Sequence, residues 1–356
     1  MKDAPSGASS IVRRSTAESD QLAEPSSGRG RWAAACLILF LLSAGATPEA
    51  ADRDGRWAIL LAGASGDPDL QKRYLTQIAD LRSVLENQLG FPRSQIVILA
   101  DDPSKDPALI QHKSTRENLL EVCRGLAARV EKEDLVFIFI EGHGSYDGNV
   151  YKLNLVGPDP TADEFASMID SIPARLTVVI NATNCSGGSL AALSRKGRIV
   201  VTATKSGMEK NQTHAGRFFI EAFKGGADSD KNGRVSILEA FSYANQRVED
   251  YYKSEGNLQT EHPALDDNGD GQAQSKPDPE SGDGLLARTA YLDRPALAGQ
   301  GEQTPERQAL ALEVQELEKK IEALKYAKGE MPAADYEKKL EELLLRLAQV
   351  NAKLRE

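Results

Sequence analysis

Two residues of this sequence have the chemistry of a nucleophile and its base. Cys185 carries a thiol and follows the run Leu176, Thr177, Val178, Val179, Ile180 after Asn181, Ala182, Thr183 and Asn184. His143 carries an imidazole and follows Leu135, Val136, Phe137, Ile138, Phe139, Ile140 after Glu141 and Gly142. An imidazole within hydrogen-bond reach of a thiol can take its proton and later return it to a leaving amine. Gly144 and Cys185 would then offer backbone N–H groups to the oxyanion that forms between them. A helix over Ser186 to Leu193 would add N-terminal dipoles that favour the thiolate. The residues leave two readings open. One is a cysteine endopeptidase in which Cys185 and His143 hydrolyse a peptide or protein substrate through a thioester; the other is an inactive scaffold in which the thiol is a packed core group.

Both residues follow apolar runs that lack polar alternation, the mark of strands buried on two faces in a parallel sheet. Reactive groups of such sheets collect beyond the carboxyl ends of the strands. Arg56 to Gly63, Gln95 to Ala100 and Arg198 to Ala203 are runs of the same kind, and Val150 to Leu155 suits a short strand. Between them, Tyr74, Ile78, Leu81, Leu85 and Leu89 recur at helical spacing until Gly90 and Pro92 stop the pattern. Thr115 suits an N-cap for a helix whose apolar face carries Leu119, Val122, Cys123, Leu126 and Val130. Thr161 and Glu164 have the capping-box spacing, and helical patterns recur over Ala215 to Lys224 and Ser236 to Tyr252. Strands alternating with helices predict a three-layer α/β/α sandwich with a mostly parallel sheet over residues 52–271.

A second constellation suits a cation. Asp228, Asp230, Asn232, Gly233, Ser236 and Glu239 fit D-x-D-x-N-G-x-x-S-x-x-E, the calcium loop of an EF-hand, over residues 228–239. Asp228, Asp230 and Asn232 would give oxygens, Gly233 the sharp turn, the Arg234 carbonyl the seventh position, and Ser236 the ninth. Glu239 would close the shell, so structural Ca2+ is the expected cofactor. Asp266, Asn268, Asp270 and Gly271 repeat the first half of the pattern, but Pro277 stands where the closing carboxylate belongs. They are weaker metal candidates, with a polar turn as the alternative. The absence of CxxC and HExxH patterns speaks against zinc.

Composition bounds the rest. With 40% hydrophobic and 27% charged residues the chain reads as globular, and a formal charge of -10 argues against nucleic-acid binding. No apolar run is long enough to span a membrane. Residues 1–31 have the composition of a disordered segment, and residues 32–46 join an arginine flank, the short apolar run Trp32 to Leu42 and small residues in the pattern of a secretory signal. An exported, periplasmic or extracellular protein is the expectation, and Cys36 would leave with the signal. Residues 272–305 read as a linker. Over 306–356, Leu310, Val314, Leu317, Ile321 and Leu324, then Leu340, Leu343, Leu347, Val350 and Leu354, alternate spacings of three and four. They predict a coiled-coil hairpin that self-associates or meets a protein partner.

The AGASG turn (Ala62 to Gly66), GFPRSQIVILADD (Gly90 to Asp102), FIFIEGHGS (Phe137 to Ser145) and the apolar run ahead of Cys185, Ser186, Gly187 and Gly188 resemble the legumain-like cysteine peptidases, relatives of the caspases in fold. The resemblance covers roughly residues 56–225. It implies a caspase-like α/β/α fold, His143 as the base and a cysteine nucleophile one strand further on. In that family the cysteine follows the strand after two residues and precedes Ser-Gly by one. Counted forward, that place falls on Thr183; counted back from Ser186, it falls on Asn184. The family's histidine-supporting Asn falls on Asp69 and its acid-recognising Arg on Gln71, with Lys72 and Arg73 nearby.

Overall fold

The structure is a computed structural model that describes residues 53–280, 282–294, 331–355 and scattered positions between 306 and 324. The expected disordered segment 1–31 and signal 32–46 lie outside the described residues.

β1 (Arg56–Ala62), β2 (Ile96–Ala100), β3 (His112–Lys113), β4 (Leu135–Glu141), β7 (Leu176–Asn181), β8 (Arg198–Thr202) and β9 (Ala264–Asp266) form one sheet in the order β3-β2-β1-β4-β7-β8-β9. All neighbours are parallel except β8 and β9. β1, β4, β7 and β8 are buried at every position, which is why their sequences run apolar without alternation. Their side chains divide by parity. Ala58, Leu60, Phe137, Phe139 and Val178 face a layer made by α1 (Pro68–Asn87), α5 (Ala215–Glu221) and α6 (Ile237–Ser254). Ile59, Leu61, Val136, Ile138 and Val179 face α2 (Arg116–Ala127), α3 (Ala162–Asp170) and the single turn α4 (Leu190–Leu193). This is a caspase-like three-layer sandwich.

Caps fix the helix starts where the sequence marks them. Thr115 accepts from the Asn118 N–H, and the reciprocal Thr161–Glu164 and Ser236–Glu239 boxes are both formed. α1 begins earlier than its apolar pattern, because Asp67 accepts from the N–H groups of Asp69 and Leu70 with Pro68 in the first turn. The expected strand at Val150 to Leu155 is β6 (Tyr151–Leu153), paired antiparallel with β5 (Gly144–Tyr146) as a hairpin directly after His143.

The linker expectation needs correction over its first part. Residues 272–294 pack back on the domain: Gln274 bridges Leu265, α7 (Leu285–Thr289) starts where Asp267 accepts from Gly284 and Ala287 N–H groups, and Leu292 is buried. Gly, Pro and Asp here build turns whose backbone is paired to the core, a pairing that composition alone does not show. In the tail, α8 (Ala333–Arg355) buries Val350, and Leu317, Ile321 and Leu324 are buried as well. No described helix is long and apolar enough to cross a membrane.

Candidate active site around His143

The loop after β4 reaches the mouth of the sheet by a close approach of two glycines. Gly142 has φ 144°, and a Cβ there would lie 3.1 Å from Gly63, whose N–H donates to the Glu141 carbonyl at 2.8 Å. This explains the glycine that opens the turn after β1. His143 is then pinned by its own carbonyl, which accepts from Asn154 N–H at 3.0 Å.

The side chain that faces His143 from the next strand is Asn184. Its Oδ1 accepts from Gly144 N–H at 3.0 Å and stands 3.4 Å from His143 Nδ1. Its Nδ2 donates to the Lys210 carbonyl at 3.0 Å and lies 3.6 Å from Cys185 Sγ. An amide oxygen only accepts, so His143 meets it through an Nδ1–H. Nε2 is then the acceptor for Tyr74 O–H at 3.2 Å. Both ring nitrogens are therefore engaged. Tyr74 is buried and desolvation pushes its phenol up to about 12, so it stays a donor across the physiological range.

Cys185 is placed otherwise than the sequence suggests. It adopts a left-handed backbone at φ 59°, is 1% exposed, and joins the apolar cluster of Tyr151, Leu153, Phe165 and Leu190. Burial pushes its thiol up, with Lys210 opposing. Its N–H donates to the Glu209 carbonyl at 2.8 Å and is not offered to an oxyanion. The expected helix after it is a 3-10 turn over Ser186–Ser189 followed by one α turn, too short to favour a thiolate strongly. The Gly144 N–H, for its part, is taken up by Asn184 Oδ1. No hydrogen bond joins Cys185 to His143 among the described residues.

The loop that carries Asn184 is held by a buried polar web. Thr183 Oγ1 contacts Tyr151 O–H at 2.7 Å and donates to Asn181 Oδ1 at 2.8 Å, and Asn181 Nδ2 donates to Ser189 Oγ at 3.1 Å. Ser186 and Thr204 hydroxyls meet at 3.2 Å. Every member is satisfied, so the loop has one well-determined course.

At the end of β4 lies a cluster of buried carboxyl groups that sequence reasoning missed. Glu141, which ends β4, is 3% exposed, and burial pushes its carboxyl up to about 8 despite Arg73. The Gln77 amide, in the orientation that satisfies both groups, donates to its two oxygens at 2.9 and 3.1 Å. Glu261 accepts from the N–H groups of His214 and Ala215 at the start of α5, and burial raises it to about 7. The signal was available: a glutamate closing a six-residue apolar run. Asp69 and Gln71 do not support the histidine; Gln71 donates to Asp101 at 2.9 Å, and Tyr74 has the contact instead.

In the 228–239 loop, Asp228, Asp230 and Glu239 bring ligand oxygens within 4.8 Å of one another. Asp228 accepts from Asn232 and Gly233 N–H groups, and Asn232 Oδ1 from Arg234 N–H. Ser236 and Glu239 are engaged in their capping box, and the Arg234 guanidinium pairs with Asp293. The donor set of carboxylates and amide oxygen suits Ca2+. Asp266 is different. Its oxygens already accept from Gly269 N–H, Gly271 N–H and Ser194 Oγ, while Asn268 and Asp270 cap N–H groups two residues on. In the described residues these side chains serve the turn, while the three-acid group close enough to share an ion is that of the 228–239 loop.

The mostly parallel sheet, its flanking helices and the histidine loop have the architecture expected of a caspase-like domain. Residues 72–184 match the family model described as metacaspase, peptidase C14 domain, and the match ends at Asn184. Metacaspase-1B of Aspergillus niger is 30% identical over 92 residues, covering 25% of this chain and 20% of that protein. The chain thus matches about a fifth of the length of that curated relative. A solved structure, protein GSU0716 from Geobacter sulfurreducens, covers 63% of this chain and 95% of its own at 11% identity and a TM-score of 0.38. Residues 72–184 are thus similar to the C14 cysteine-peptidase domain, close to the legumain-like branch that the chain's motifs resemble.

Proposed function

We propose that this C14-type domain uses the surface around His143 to bind an extended peptide, and that it holds the peptide without cleaving it. One observation carries the reading: Asn184, not a thiol, faces His143, and its carboxamide cannot act as the nucleophile. Binding of fluorescein-labelled casein without release of small fragments supports it. Release of fragments that is abolished by either Cys185→Ala or His143→Ala would overturn it.

The hydrolytic reading keeps one specific support. Cys185 Sγ lies 3.6 Å from the Asn184 amide in a left-handed backbone, so a turn of the 183–186 segment would exchange the two side chains. The thiolate would then attack the scissile carbonyl, His143 would protonate the departing amine, and water would hydrolyse the thioester. Casein cleavage lost on alkylation of Cys185 is the result that establishes it.

The remaining parts of the reading are a Ca2+ ion in the 228–239 loop, export directed by residues 32–46, and self-association or partner binding through the 306–356 helices. The acidic donor set, the short apolar run and the heptads support them in turn. Calcium titration, sizing of the processed chain and sedimentation of the full chain test each.

A further inference from the structure

We infer that Asn184 is an internal stopper: its carboxamide stands in for a peptide group between the Gly144 N–H and the Lys210 carbonyl, and an extended peptide enters by replacing it. The inference rests on reading the surface around His143 as a peptide site. The Gly144 N–H and the Lys210 carbonyl are one donor and one acceptor on opposite loops, both engaged by the same side chain at 3.0 Å. A peptide main chain offers the complementary pair, a carbonyl and an N–H, whatever its side chains.

Asn184 already engages both the Gly144 N–H and the Lys210 carbonyl, so this side chain and a peptide compete for them. A Cβ on Gly144 would come within 2.4 Å of the Tyr151 ring and 2.7 Å of the Asn184 backbone carbonyl, so position 144 takes only a glycine. Asn184 Nδ2 spends both hydrogens, on the Lys210 carbonyl and toward Cys185 Sγ, and Oδ1 takes two donors. Its carboxamide is saturated, so it is bound as a ligand would be. Two residues before Lys210, Met208 is 65% exposed, an apolar side chain for a bound chain to cover. The ligand class is therefore an unfolded or extended polypeptide recognised through its main chain. A tightly sequence-specific peptide fits this pair of backbone groups less well.

The test is fluorescence polarisation of fluorescein-labelled, carboxymethylated casein against the full wild-type chain and its Asn184→Gly variant. The stopper predicts affinity at least about tenfold higher for Asn184→Gly, roughly what removal of a competing pair of hydrogen bonds provides. Equal affinity, or weaker binding by a variant that retains the wild-type melting temperature, would overturn it. Absence of binding by both proteins would instead overturn the peptide-site reading. A measurement on the wild type covers the case in which the variant does not fold: with selectively labelled asparagine, saturating casein should shift the Asn184 side-chain amide resonances, and unshifted resonances in a protein that binds casein refute the stopper.

Discussion

The side-chain oxygen of Asn184 lies 3.0 Å from the backbone nitrogen of Gly144, where a substrate carbonyl would be held during acyl transfer. The same side chain reaches toward the imidazole that would serve as base. Position 184 therefore commands both the histidine and the backbone donor, while the thiol one residue later points into the core. An offset of one residue separates a side chain that faces His143 from one in the core.

Placing a thiol at position 184 should create the missing pair. Asn184→Cys is expected to react with iodoacetamide at pH 7 at least about tenfold faster than Cys185 does in the wild type, the effect of a roughly tenfold gain in thiol acidity near neutrality. His143→Ala in that background should abolish the gain. Slow labelling of the new cysteine, measured by mass spectrometry of the labelled peptide, would mean that position 184 is not the nucleophile's place.

Glu141 gives the domain a pH dependence of defined sign. Its carboxyl is raised by burial from an ordinary 4.5 to about 8, with Arg73 opposing and Glu261 adding to the rise. Below the ordinary value both the folded and unfolded chains carry the proton, and burial costs nothing. As pH rises toward 8 the unfolded chain releases the proton first, so this group's contribution to stability falls. Glu141→Gln keeps the shape without the charge and should flatten the decline in melting temperature between pH 5 and pH 8. The expected difference is a few kcal/mol at most, at ~1.4 kcal/mol for each tenfold change in proton affinity. Parallel wild-type and variant curves would show that Glu141 is already ionised in the fold.

Calcium should raise the melting temperature in proportion to the logarithm of its concentration above the dissociation constant. Glu239→Gln should remove the response, because it takes a charge from the only three-acid cluster among the described residues. Glu239→Gln retains an acceptor for the N-cap, so its melting temperature without calcium should lie close to that of the wild type. A calcium response that persists in the variant would place the ion elsewhere.

The tail should unfold separately from the sandwich. Val350 is 1% exposed, and Leu317, Ile321 and Leu324 are buried beside an Arg346–Glu313 pair. Val350→Asp buries an unpaired charge in the tail and should lower helical circular dichroism while leaving the near-ultraviolet signal of the core intact. Loss of both signals together would make the hairpin part of the core's cooperative unit.

The layers of the fold are legible in the sequence because β1, β4, β7 and β8 are buried on both faces and must be apolar throughout. Thr115, Thr161 and Ser236 announce their helices because each cap is local in sequence. His143 is legible for the same reason: a strand end followed by small residues. Which of Thr183, Asn184 and Cys185 faces it is not. That depends on the left-handed turn at Cys185 and on contacts with Tyr151, Thr204 and Glu209, all distant in sequence. Helical spacing marks Tyr74 as a core residue, which it is; its hydroxyl meets His143 only because α1 packs beside the β4 loop. The 272–294 segment escapes a reading by composition because its pairing partners are long-range.

Arg56, the first residue of β1, donates to the carbonyls of Leu89, Gly90 and Leu292 and pairs with Asp54. The residue that opens the sheet is thus the one that fastens the last buried stretch before the tail, and the domain closes like a clasp. A shortened chain ending at the last strand would take the Leu292 carbonyl from Arg56 and uncover the apolar bed of Leu292. The natural cut lies after Arg294: the described residues from Arg53 to that point belong to a single fastened body.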